Sequence, residues 1–196
     1  MKYNTSLVSL LQKADRLKKG GDYEGAINIL QKIILEDSDC IEAYEELGDN
    51  YLSLRKLDQA EKALQQALKL DDVSANAHYL LGFLYSLEQK WGLSTEELMI
   101  ADEVSPNNPE ILRCLGWSIY NASRTTQGIA LLERSQTLRP MDANILCDLG
   151  VCYLNNADFG KAEEIFKRVI RISPDSDQAR EACRFLDMLK RRYEIR

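Results

Sequence analysis

The sequence has few of the residues from which catalytic and metal sites are built. Its 196 residues include a single histidine, and none of the five cysteines lies in a C-x-x-C pair. The cysteines are scattered and odd in number, which fits neither the close spacing of a metal site nor a framework of paired disulfides, so we expect reduced thiols, no metal and no cofactor. The G-x-x-x-x-G-K-[ST] and G-x-G-x-x-G loops that cradle nucleotide phosphates are also missing. We therefore do not expect an enzyme.

Long apolar runs and an excess of positive charge are likewise missing. The N-terminal stretch contains no apolar run that matches a signal peptide or a membrane helix. The net charge of −6, with a sequence pI near 5.0, repels phosphate backbones and anionic membrane surfaces. These features predict a cytoplasmic protein that binds no nucleic acid and does not insert into membranes.

What the sequence does contain is a repeat with a period of 34 residues. The mark of the period is a Leu-Gly pair, whose glycines are Gly48, Gly82, Gly116 and Gly150. A fixed period of this length is typical of stacked helical repeats, in which each unit contacts its neighbours. The period predicts one elongated solenoid.

Within the second repeat, Tyr44, Leu47, Gly48, Tyr51 and Ala60 follow the W-x2-L-G-x2-Y…A pattern. On these residues the chain resembles the tetratricopeptide repeat (TPR) family over nearly its whole length. The resemblance implies an all-α fold, a right-handed superhelical solenoid of stacked antiparallel helix pairs (an α-α superhelix). We expect a single domain, 1–196, with about five repeats at 7–40, 41–74, 75–108, 109–142 and 143–176, and a C-terminal capping helix at 177–196.

Each repeat should consist of a helix A and a helix B joined by a short turn. In the second repeat we expect helix A from Ile41 to Leu54 and helix B from about Leu57 to Leu70. A glycine inside a helix costs roughly 1 kcal/mol relative to alanine. Its recurrence in helix A implies that the two helices pack closely there.

The capping helix and the histidine have structural interpretations. An apolar stripe on the capping helix, which includes Ala182 and Leu189, should cover the fifth repeat, and Arg180 and Arg184 should face water. We expect His78, at a position that other repeats fill with Tyr or Leu, to be a packed histidine with one hydrogen bond.

The TPR resemblance places one face of each helix A on the concave side of the solenoid, where partners bind. This candidate groove is acidic at one end, aromatic in the middle and rich in amides at the far end, and Phe185 of the capping helix could close it. In the competing interpretation, neighbouring helices cover the aromatic side chains, which then belong to the core. The candidate peptide-binding residues are Glu45, Asp49, Asn76, Tyr79, Phe83, Arg113, Trp117, Tyr120, Asn121, Asn144 and Asn155.

These residues predict a non-catalytic scaffold or adaptor that binds a peptide or helix of another protein, one with basic and apolar residues. TPR co-chaperones that grip a terminal carboxylate have a clamp of Lys, Asn and Arg. Here the matching positions carry Glu45, Asp49, Asn76 and Leu80, so we do not expect that ligand. The alternative is a structural protein that assembles with itself through its end repeats or capping helix. Binding of RNA would need a basic groove, which the acidic end contradicts.

Overall fold

The computed structural model describes residues 5–194, which form eleven α-helices and contain no strand. The predicted all-α class is confirmed. The helices are α1 (Thr5–Lys19), α2 (Tyr23–Glu36), α3 (Ile41–Ser53), α4 (Leu57–Leu70), α5 (Ala75–Leu87), α6 (Trp91–Val104), α7 (Pro109–Asn121), α8 (Thr125–Leu138), α9 (Ala143–Asn155), α10 (Phe159–Ile172) and α11 (Asp177–Glu194).

The helices group into two compact units, Met1–Ser105 with α1 to α6 and Pro106–Arg196 with α7 to α11. In the first unit, α1 packs on α2, α3 on α4 and α5 on α6. In the second unit, α7 packs on α8, α9 on α10, and α11 on both α10 and α9. The odd-numbered helices α1 to α9 are therefore the helices A of the repeats. That all residues form a single domain stays a prediction.

The repeated glycines set the distance between helix A and helix B of a pair. A Cβ atom built on Gly48 would lie 2.6 Å from the Leu64 side chain, and one on Gly82 would lie 2.4 Å from Leu98. A Cβ on Gly150 would lie 2.6 Å from the ring of Phe166. No carbon atom fits at such distances, so close packing explains the glycines, as predicted from the sequence.

In the α7–α8 pair, the close contact is between backbone atoms of the two helices. A Cβ atom on Gly128 would lie 2.6 Å from both the Gly116 carbonyl oxygen and the Tyr120 backbone nitrogen. At the position equivalent to Gly128, α6 carries Ser94, whose buried hydroxyl donates to the Gly82 carbonyl at 2.7 Å. The helix-B partner of the glycine must therefore be small, and a serine adds a hydrogen bond.

The turn between helix A and helix B has a left-handed residue at the same place in every repeat. Its φ angle is +82° at Gly21, and between +58° and +67° at Arg55, Gln89, Ser123 and Ala157, each 34 residues after the last. Only the first repeat has the glycine that this conformation favours. The strained left-handed conformation therefore recurs with the same 34-residue period, which the sequence pattern did not predict.

Helices A begin where a side chain caps them, in all but one of the repeats after the first. Ser74, Asn108 and Asp142 each precede a helix A and accept a hydrogen bond from a backbone N–H of its first turn. Ser176 does the same for α11, accepting from the Ala179 N–H at 3.0 Å. These residues satisfy backbone donors that a helix start leaves unpaired.

Helix α11 covers the last repeat as expected. Ala179, Ala182 and Leu189 are buried, whereas Arg180 and Arg184 are exposed. Phe185 stacks on the buried Phe166 with ring centroids 5.0 Å apart. Phe185 therefore packs against the core of the second unit while staying partly exposed, and its expected place at the end of the groove stays a prediction.

Replacing Gly128 with alanine should destabilise the protein. The new methyl group meets backbone atoms that cannot rotate away, a clash of about 1–3 kcal/mol that outweighs the helix-propensity gain of ~1 kcal/mol. Urea unfolding measures the loss. Gly160→Ala is the matched control, because nothing lies within 4 Å of its Cβ. A Gly128→Ala variant as stable as wild type would contradict the close backbone contact.

Replacing Ala157 with glycine should stabilise the protein by roughly 0.5 kcal/mol. The relief of a left-handed alanine, about 1–2 kcal/mol, exceeds the extra entropy that glycine loses on folding. Thermal unfolding monitored by circular dichroism measures the effect. Ala122→Gly is the control, since its φ of −78° is ordinary and the same change there should destabilise.

Candidate partner-binding surface

The helices A lie side by side within each unit. In the first unit α3 contacts α5, and in the second unit α9 contacts both α7 and α11. The eleven candidate residues, which we call the helix-A face, are divided between the two units. The first unit holds Glu45 and Asp49 on α3 with Asn76, Tyr79 and Phe83 on α5; the second holds Arg113, Trp117, Tyr120 and Asn121 on α7 with Asn144 and Asn155 on α9.

The acidic end of this face contains its own cation. The Lys18 ammonium, on α1, forms ion pairs with Asp49 and with Glu46, the latter at 2.9 Å. Burial alone would lower the pKa of Lys18, but the hydrogen bonds and charges of these carboxylates outweigh it and raise the pKa. Glu46 was not among the predicted residues, because its partner lies 28 residues away and gives no local signal.

Glu45 and Asn76, two of the candidate groove residues, contact each other. The Glu45 carboxylate accepts a hydrogen bond from the Asn76 Nδ2 at 2.9 Å and another from the Ser74 hydroxyl. Ser74 is also the residue that caps α5 through the Ala77 N–H. The carboxylate is therefore held in place by the start of the next helix A.

The aromatic residues of the first unit lie between core and solvent. Tyr79 and Phe83 are partly buried and pack against the apolar core of that unit. Neither is fully covered by the neighbouring helices. The two interpretations of these aromatics thus each hold in part, since one side of each ring supports the core and the rest stays accessible.

The second unit places its aromatic and amide residues in direct contact. The Trp117 and Tyr120 rings stack with centroids 6.3 Å apart and an interplanar angle of 18°. Asn121 donates from Nδ2 to the Trp117 carbonyl at 2.8 Å, and the Tyr120 hydroxyl donates to the Cys152 carbonyl at 3.4 Å. Burial raises the pKa of Tyr120, with a hydrogen bond from Asn155 opposing it. Tyr120 and Asn155 are thereby linked across α7 and α9.

A charged network lies beside these rings. The Arg113 guanidinium bonds Asp148 at 2.8 Å and Glu110 at 3.2 Å, and Glu110 also pairs with Arg139 at 3.1 Å. Burial raises the pKa of Asp148, and the charge of Arg113 opposes that shift. The sequence analysis missed Asp148, although a carboxylate inside the apolar run ILCDLGV was a usable signal.

The side chains of Asn144 and His78 both form hydrogen bonds within the chain. The Asn144 Oδ1 accepts from Gln178 Nε2 at 2.6 Å, which ties α9 to α11. His78 makes two hydrogen bonds, Nδ1 with Glu97 at 2.6 Å and Nε2 with the Asp72 carbonyl at 3.1 Å. The prediction of a single bond was wrong, because Glu97 lies on the opposite helix of the pair.

The part of the chain that the structure describes has neither a metal-binding cluster nor a membrane-spanning helix. Across residues 5–194, no three His, Cys, Asp or Glu side chains come close enough together to hold a metal ion. None of the helices described there is long and apolar enough to cross a membrane.

Comparison with known sequences identifies the repeat. Tetratricopeptide repeat models match residues 17–82 and residues 143–176. The chain belongs to the tetratricopeptide repeat family. The 34-residue model coincides with the fifth predicted repeat, and the other match begins in the first repeat and ends in the third.

The TPR chain has similar proteins among both sequences and structures. PilF of Pseudomonas aeruginosa, a type IV pilus assembly protein, is 30% identical over 155 residues, which are 78% of this chain and 61% of PilF. TTC0263, a thermophilic TPR protein in Thermus thermophilus, superposes with a TM-score of 0.80 at 16% identity, covering 92% of this chain and 98% of TTC0263. YrrB, a TPR protein with an unusual peptide-binding site, has a TM-score of 0.65 at 22% identity, covering 89% of this chain and 90% of YrrB. At these identities the structural likeness shows the fold alone.

Removing the Arg113 charge should leave Asp148 buried without its partner. Because the two side chains are 18% and 23% exposed, we expect Arg113→Met to cost about 2–3 kcal/mol of unfolding free energy at neutral pH, somewhat less than for a fully buried pair. Without the Arg113 charge, the burial that raises the pKa of Asp148 is unopposed. The folded variant then holds a proton on Asp148 more tightly than the unfolded variant does. Acidification from about pH 7 to about pH 5 should therefore narrow the gap to wild type.

Urea unfolding at the two pH values measures this effect. Arg139→Met removes an arginine from the same network, but its side chain is 51% exposed. It should cost no more than about 0.5 kcal/mol at either pH. A gap for Arg113→Met that stays constant with pH would show that Asp148 is not the group left uncompensated.

Proposed function

We propose that this TPR protein is a non-catalytic interaction scaffold that binds a peptide or helix of another protein on its helix-A face. The observation that carries the proposal is the partial exposure of Tyr79, Phe83, Trp117 and Tyr120. Large aromatic side chains supply much of the energy of protein interfaces when a partner completes their burial. Each unit presents two of them beside amide or carboxylate groups.

The charges around the aromatic residues favour a partner with basic residues. In the first unit, α3 carries the carboxylates of Glu45, Glu46 and Asp49, and the Lys18 ammonium pairs with the last two. This imbalance attracts a lysine or arginine and repels a terminal carboxylate. In the second unit, Arg113 and Arg139 balance Glu110 and Asp148. Recognition there would rest on apolar contact with Trp117 and on the amides, which donate and accept hydrogen bonds.

The similar proteins support the proposal without fixing its details. YrrB is a TPR protein with a peptide-binding site, and PilF is a pilus assembly protein. Both descriptions fit a fold that holds other polypeptides rather than one that performs chemistry. We propose a cytoplasmic adaptor, with a partner that offers an apolar anchor flanked by basic residues.

Alanine at Phe83 and Trp117 should weaken partner binding. We expect a loss of about 1–3 kcal/mol for each ring, measured by calorimetry with a partner first captured from native lysate and then purified. Phe83→Ala tests the first unit and Trp117→Ala the second. The control is Trp91→Ala, which removes a partly buried aromatic of helix B outside the helix-A face.

Two outcomes would go against this function. If the Phe83→Ala, Trp117→Ala double variant, shown to be folded by circular dichroism, binds as tightly as wild type, the helix-A face is not the site. If light scattering shows a mass that rises with concentration and no partner is captured, the structural alternative of self-assembly replaces the adaptor.

A further inference from the structure

Helix α6 exposes an apolar stripe on the side turned away from α5, the helix it packs on. Leu93, Ile100 and Val104 are 46%, 38% and 47% exposed. Their spacings of seven and four residues place them along one face of the helix. Their neighbours in the pair contact, Leu98 and Ala101, are completely buried. The stripe therefore lies outside the fully buried contact of α6 with α5 and remains partly open to solvent.

The other helices B provide an internal comparison for this stripe. The residues equivalent to Leu93 are Gly25, Gln59, Gln127 and Lys161, and those equivalent to Ile100 are Lys32, Gln66, Arg134 and Arg168. The neighbouring Met99, also exposed, replaces Gln31, Gln65, Glu133 and Lys167. The other four repeats keep the positions of Leu93, Met99 and Ile100 free of large apolar side chains, as solubility requires. The position of Val104 does not share this contrast, because the equivalent Leu70 and Leu138 are also exposed. Large apolar side chains at the other three positions are therefore particular to the third repeat, which points to a role other than stability.

An acidic row runs beside the stripe. Glu96 and Glu103 are exposed, seven residues apart, on the side of α6 next to Leu93 and Ile100. Between Trp91 and Val104 the helix has four acidic residues and no basic one. The Glu97 carboxylate lies 2.6 Å from His78 Nδ1, so the exposed acidic row consists of Glu96 and Glu103. An apolar stripe with a parallel acidic row is complementary to an amphipathic helix that carries a basic row.

We propose that the outer face of α6 is a second interaction surface, which docks an amphipathic helix of a partner protein with a basic row beside its apolar row. This surface is separate from the helix-A face and does not depend on the function proposed for it. The acidic row disfavours an anionic membrane as the occupant. A second copy of the chain matches less well, because the exposed face of α11 combines arginines with one large apolar residue, Met188.

The test uses designed peptides, because a partner is not needed to measure the complementarity. Each fluorescently labelled peptide has about three heptads with leucine at its apolar positions, flanked in one peptide by lysine and in the other by glutamate. Fluorescence anisotropy measures binding to the full chain. We expect the lysine peptide to bind at least about tenfold more tightly than the glutamate peptide, with an affinity that falls as salt is added.

Variants then locate the site. Leu93→Glu with Ile100→Glu should weaken the lysine peptide by about tenfold or more, and Glu96→Lys with Glu103→Lys should shift the preference to the glutamate peptide. The matched control is Gln59→Glu with Gln66→Glu, the same two positions on α4, which adds the same charge and should change nothing. The Phe83→Ala, Trp117→Ala variant should also bind the peptide normally, which separates this surface from the helix-A face.

Three results would overturn the proposal. One is equal binding of the two peptides, or no binding up to about 1 mM. A second is an equal loss in the α4 control, which would show attraction to overall charge. The third is a dimer of wild type in sedimentation that Leu93→Glu with Ile100→Glu converts to a monomer, with no peptide bound; the occupant of α6 would then be a second copy.

Discussion

In the four repeats after the first, a glycine of helix A lies against the helix B that follows, at a separation that leaves no room for a Cβ atom. The helix-B side chain next to the glycine is Leu64 at Gly48, Leu98 at Gly82 and Phe166 at Gly150. In the fourth repeat the contact is between Gly116 and Gly128. Because the contact fixes the separation of the helices, it also fixes which residues are left on the two outer sides of the pair. The candidate partner-binding residues depend on this contact, and one of them, Tyr120, takes part in it through its backbone, which lies against Gly128.

The two outer sides have different chemistry. On the helix-A side, half-buried rings such as Phe83 and Trp117 rest on the core, and ion pairs hold the carboxylates around them. On the helix-B side, most outward positions are polar, and α6 differs in exposing four large apolar residues, Leu93, Met99, Ile100 and Val104.

Features with a local cause were predictable from the sequence, and features that join distant residues were not. The glycine period predicted the helix pairs, and the end of α3 differs from expectation by one residue, because Leu54 is the C-cap. The pairing of Lys18 with Asp49, and of Arg113 with Asp148, joins residues about one period apart, and charge alone does not reveal such partners. The stacking of Phe185 on Phe166 was not predictable, because it depends on how α11 is rotated, which the apolar stripe does not determine for a residue at its edge.

The most direct test of the central claim, that partners bind the helix-A face, is hydroxyl-radical footprinting of the chain with and without a captured partner. The method reports the solvent exposure of individual aromatic side chains in the wild-type protein, so no variant can fail to fold. The account predicts that Tyr79, Phe83, Trp117 or Tyr120 becomes protected while Trp91 on α6 keeps its reactivity. Protection confined to α6, or to residues outside both surfaces, with these four aromatics unchanged, would contradict it.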